Sequence, residues 1–154
     1  MSDSLNKLIQ NVKGNAVIEF AFMAPLLLVV LSGMSEIGRA YFQANAVEKG
    51  LRAGALFAAR NSAPLSPSAR TAARNLVMTG TIDGSGPFLV PGWSDPAAAV
   101  DITTTDFALG GDIVPVYRFE ASVPYVPMAG NLMAFVGIDN FTIRTSHEQA
   151  YIGD

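Results

Sequence analysis

Residues 12–36 read VKGNAVIEFAFMAPLLLVVLSGMSE, and the fold turns on this stretch. From Phe20 to Ser35 no residue is charged, and extending back to Ala16 gives twenty residues interrupted by Glu19 alone. At about 1.5 Å per residue, twenty helical residues reach about 30 Å, the thickness of a bilayer's hydrocarbon core. One membrane-spanning helix over about 16–35 is expected. Glu19 is then out of place, because a residue such as Asp at mid-span costs about 2.5–3.5 kcal/mol on insertion scales. A carboxylate near the end of the run can snorkel to the headgroups without any further role. Otherwise it needs a partner.

The run does not end as a cleaved secretory signal would. Such signals have a shorter apolar region followed by a small-residue cleavage site. Here SEIGRAYFQANAVEKGLRAGALFAAR follows, and Ile37, Tyr41, Ala44, Val47, Leu51, Ala55 and Ala58 recur at steps of three and four. That spacing places them along one stripe of a helix. Membrane segment and amphipathic segment read as one helix of about 45 residues, about 70 Å long, whose outer half carries a soluble domain. Pro25 removes a backbone donor inside this helix, so a kink is expected there. Gly50 and Gly54 have the four-residue spacing that lets helix backbones approach closely, and Gly33 adds a third such position.

Composition agrees with a membrane-attached chain. Half of the 154 residues are hydrophobic and 15% are charged. The formal net charge of −3 leaves no clustered basic footprint for nucleic acid, so none is expected as a partner. Cysteine is absent, which removes disulfides, thiol chemistry and Cys-based metal sites.

The string KGNAVIEF, residues 13–20, resembles the processing site of type IV pilin-like precursors: a short basic leader ending in Gly, then a mature chain with Glu in fifth place and an aromatic beside it. The resemblance implies a leader over 1–14, cleavage by a prepilin peptidase between Gly14 and Asn15, and retention of the apolar helix. It gives Glu19 and Phe20 a part in assembly. The new α-ammonium at Asn15 would meet Glu19 of a neighbouring subunit, and a carboxylate that finds such a partner in a low-dielectric bundle is favoured over one that does not, which selects the axial register. Within that superfamily the segment from Gly14 to Arg60 is similar to TadE-like minor pseudopilins of tight-adherence (Tad, or Flp) pilus systems. The Glu-Phe pair, the Pro-Leu-Leu-Leu core and the Arg-Ala-Gly-Ala helix carry the likeness. The ending TIRTSHEQAYIGD is weakly similar as well. Basic residues flank both ends of the span, so charge bias is nearly balanced and orientation follows from the resemblance.

Beyond the helix, assigned to 15–60, residues 61–154 read as a soluble head. Asn61 to Arg70 is rich in Pro and Ser and forms a turn. Ser66 followed by Pro67 is an N-cap and first-turn pair, and Gly80 is a stop, giving a helix from Pro67 to Thr79. Gly84-Ser85-Gly86 lacks the continuation of a phosphate-binding loop and reads as an ordinary turn. Three segments alternate with period two: Val100, Ile102, Thr104; then Tyr117, Phe119, Ala121, Val123; then Phe141, Ile143, Thr145. One apolar face per strand implies a small antiparallel sheet that needs a cover, and the stripe from Tyr41 to Ala58 supplies it. The apolar stretch YVPMAGNLMAFVGIDN, residues 125–140, is read as closing the core, with an exposed contact patch as the alternative. The expected fold class is α+β, a long N-terminal helix packed on a small antiparallel sheet.

No catalytic constellation is legible. His147 is the sole histidine, and Asp101, Asp106 and Asp112 lack the spacing of an EF-hand. No cofactor and no metal are expected, and the chain reads as a peptidase substrate rather than an enzyme. The expected function is that of a minor pseudopilin, held in the inner membrane by one span with its head in the periplasm and then placed in an extracellular pilus for adhesion. The implied partners are prepilin peptidase, the major and minor pilins, the inner-membrane assembly platform and the lipid bilayer. Two alternatives stand beside it: an uncleaved single-pass protein that scaffolds the secretion machinery, and a binding domain released by signal peptidase.

Overall fold

The structure is a computed structural model and describes residues 12–128 and 141–153. Helix α1 runs from Val12 to Ala59, 48 residues in length, or about 72 Å. It is continuous through Pro25. Its last turn is closed by the Asn61 side chain, whose Nδ2 donates to the Phe57 carbonyl at 2.8 Å, before Pro64 and Pro67 end any continuation.

Helix α2 spans Pro67–Thr79. Ser66 caps it, accepting the Ala69 N–H at 3.2 Å, and Pro67 fits the first turn because its missing donor would be unpaired there anyway. Gly80 closes the other end in the left-handed region, φ 74°, with its N–H donating to the Leu76 carbonyl. A 3₁₀ turn at Pro91–Ser94 buries Gly92 and Trp93.

Strands β1 (Ala99–Leu109), β2 (Asp112–Pro124) and β3 (Thr142–Ala150) form an antiparallel sheet in the order β1-β2-β3. The β1–β2 hairpin turns on Gly110 and Gly111, both at positive φ, between the paired Leu109 and Asp112. A two-residue turn of that hand matches the strand twist and needs residues that tolerate positive φ twice in succession. Register places Ile102 opposite Phe119, Phe119 opposite His147 and Val123 opposite Ile143. The face shared by Val100, Ile102, Tyr117, Phe119, Ala121, Val123 and Ile143 is buried. On the other face Arg118 bridges Glu120 (Nε, 2.6 Å) and Glu148 (Nη1, 2.9 Å) in exposed pairs.

The outer half of α1 covers this sheet together with α2, and Val47, Leu51, Ala55 and Ala58 lie in the common core. The architecture is α+β, a long helix on a three-stranded sheet.

The covering stripe is rotated from the expected one. Ile37 and Tyr41 are exposed, at 67% and 68%, whereas Glu36 and Gln43 are buried. At about 100° per residue, Tyr41 lies about 120° around the helix from Val47, while Glu36 falls almost in line with it three turns earlier. Thr104 is also exposed, because β1 runs on past the helical layer after Ile102. Of the apolar stretch expected to close the core, Tyr125 is buried while Val126 and Met128 are exposed; its remainder, 129–140, lies outside the described residues.

Candidate functional site

The functional features of α1 divide along its length according to what covers them. In the first half, Val17, Ile18, Phe20, Phe22, Leu26 and Leu28 are all exposed, and nothing among the described residues covers the apolar window. A core helix of a soluble protein would bury such residues, whereas the described residues leave this half uncovered. It is the one helix among the described residues long and apolar enough to cross a membrane, and it fits a single-pass protein.

Glu19 and Phe20 stand on that uncovered surface. Glu19 makes no hydrogen bond or ion pair among the described residues. Pro25 is exposed in the same half. Gly14 and Asn15 lie in the first turn of α1, where backbone N–H groups have no intrahelical acceptor.

Gly50 and Gly54 belong to the covered half. A Cβ on Gly50 would come within 2.4 Å of the Val77 carbonyl oxygen, and one on Gly54 within 2.6 Å of Val77 Cγ2 and 2.8 Å of the Ala73 carbonyl oxygen. Both glycines therefore let α1 and α2 of the same chain touch backbone to backbone. Gly33 has nothing within 4 Å of such a Cβ.

Between the halves lies a junction that the sequence reading did not single out. Glu36 is 4% exposed. The Tyr125 hydroxyl donates to its carboxylate, and the Met128 N–H donates to Oε1 at 2.8 Å. Tyr125 itself is fixed by stacking on Phe141, ring centroids 4.5 Å apart, and by its N–H donating to the Phe141 carbonyl at 2.9 Å. Burial, then the hydrogen bond and charge of Glu36, push the Tyr125 hydroxyl up to about 12, with Arg39 acting in the opposite sense. The head is thus bonded to α1 one residue beyond the apolar run. A signal for Glu36 was present: it is the first charge after the span, and it shares the helical line of Val47 and Ala58.

The remaining sequence candidates are dispersed. Asp101, Asp106 and Asp112 are exposed along the β1–β2 hairpin; Asp101 and Asp106, five residues apart on one strand, are separated by about 17 Å. Among the described residues no group of three His, Cys, Asp or Glu is placed to hold a metal. Gly84–Gly86 is a turn in which the Asp83 carboxylate accepts from the Ser85 N–H at 3.1 Å and hydroxyl at 2.9 Å; those bonds hold Asp83 below its ordinary value. His147 sits on β3 opposite Phe119.

No curated protein and no solved structure matches the chain. The family model described as TadE-like protein matches residues 14–56, from the Gly14 position through the uncovered half of α1 and into its covered half. Over that part of α1 the chain is similar to TadE-like proteins.

Proposed function

We propose that the chain is a minor pseudopilin that prepilin peptidase processes after Gly14 and that enters, or caps, a Tad pilus. The observation that carries the reading is the division of α1. The family match covers a helix whose second half is buried under its own head and whose first half, with Glu19, is left for other partners.

Cleavage at this point removes the basic leader and leaves the apolar helix attached to the head. The new α-ammonium at Asn15 lies one helical turn from Glu19. In the bilayer, Glu19 reaches the interface by snorkelling. In a bundle of staggered helices it pairs with the terminus of a neighbouring subunit, and an unmatched register leaves both charges uncompensated in an apolar setting. The head, projecting from the end of α1, is carried along the filament surface or at its tip.

Glu19→Ala tests this reading. The variant is expected to be processed and membrane-inserted like wild type, with pilus yield falling about tenfold or more, since loss of one partner of a desolvated pair is strongly destabilising. Normal piliation with Glu19→Ala would remove the register role.

A further inference from the structure

A groove opens at the base of the head beside the end of the membrane span. Met34, Arg39, Phe42, Gln43, Val90 and Met128 are among its walls, and its volume is about 460 Å³. Three observations bear on its occupant. Its foot is made by Met34 and Ser35, the last residues of the uncharged run, so it opens beside the end of the candidate membrane span. Arg39, about 6 Å higher along α1, makes no hydrogen bond or ion pair among the described residues, and its Nε is buried without a partner. Gln43, one further turn along the groove wall, is 6% exposed, and both its Nε2 and its Oε1 lack hydrogen-bond partners among the described residues.

A buried amide with donor and acceptor both unsatisfied is costly unless something completes it. An unpaired guanidinium one turn beside it calls for an anion, and Arg binds phosphate with particular geometric fit. At this depth the anions at hand are the phosphates of the bilayer, and the apolar flanks of the groove suit an acyl chain passing down along Met34.

We propose that this groove holds one glycerophospholipid of the membrane in which the chain is anchored. The phosphate sits between Arg39 and the Gln43 Nε2, and a headgroup ammonium or hydroxyl donates to Gln43 Oε1. The lipid thereby fills the space between span and head. This inference depends on the single span and not on pilus assembly, so piliation and lipid retention are separate readouts.

The test uses the full chain released from nanodiscs of mixed phosphatidylethanolamine and phosphatidylglycerol, with bound lipid read by native mass spectrometry. Wild type is expected to carry one phospholipid. Arg39→Gln and Gln43→Leu are each expected to lower its retention about tenfold, the loss appropriate to a charge-assisted contact or a completed buried amide. Because the Gln43 amide has no hydrogen-bond partner among the described residues, Gln43→Leu should melt no lower than wild type, which separates lost binding from lost folding. Equal retention in all three proteins would overturn the proposal. So would binding of inorganic phosphate to the solubilised chain with no lipid retained, or cross-links from Phe42 that report only a second copy of the chain.

Discussion

The hydroxyl of Tyr125 donates to the buried carboxylate of Glu36, joining the first residue after β2 to the helix 89 residues earlier in the chain. This contact fixes where the head sits relative to the span. A carboxylate at that position has little water to solvate it, so its donors are what make its burial tolerable.

Tyr125→Phe keeps the stack on Phe141 and removes one donor from Glu36. We expect a loss of about 1–3 kcal/mol, the cost of leaving a buried acceptor short of a partner. Thermal or denaturant unfolding of the full chain in detergent checks it.

The same pair sets a pH dependence. Folding raises the Tyr125 hydroxyl from 10.0 to about 12, so the native state favours the neutral phenol. The stability this contributes is fully present below pH 10 and is lost as pH rises toward 12. The stability difference between wild type and Tyr125→Phe should therefore be flat below pH 10 and shrink above it, as measured by unfolding at stepped pH.

Gly50→Ala should destabilise the head although Ala is the better helix former by about 1 kcal/mol. The added methyl meets the Val77 carbonyl oxygen, a backbone atom that cannot turn aside, and such overpacking costs about 1–3 kcal/mol. Gly92→Ala should behave likewise, since its Cβ would lie 2.0 Å from the Pro124 carbonyl oxygen. Gly33→Ala, with open space around it, should leave the head's melting temperature unchanged.

Ser66→Ala removes the side-chain acceptor of the Ala69 N–H and should cost about 1 kcal/mol. Glu148→Gln, on an exposed pair with Arg118, should change stability by less than about 1 kcal/mol, and less still in high salt.

Much of this architecture was legible in the sequence because single residue types enforce it locally. Ser66, Pro67 and Gly80 bound α2 by capping chemistry, and the alternation from Tyr117 to Val123 could only bury one face of a strand. The rotation of α1 was not legible. Ile37 and Tyr41 look like core residues by type and spacing, but they are exposed, while the inward line carries Glu36 and Gln43. A polar residue at a core position becomes readable only once its partner is known, and Tyr125 is too distant in sequence to announce itself. Gly110-Gly111 did carry a hairpin signal, and the sequence reading passed over it. The close approach of Gly92 to Pro124 depends on tertiary packing alone and has no local signal.

The central claim is that α1 begins its working life at Asn15, and it is tested most directly by the intact mass and N-terminal sequence of the chain from membranes with and without prepilin peptidase. The account predicts a start at Asn15 that disappears when the peptidase is absent. The original N-terminus in both membranes would contradict it and favour an uncleaved single-pass scaffold, with Glu19 a snorkelling acid at the interface.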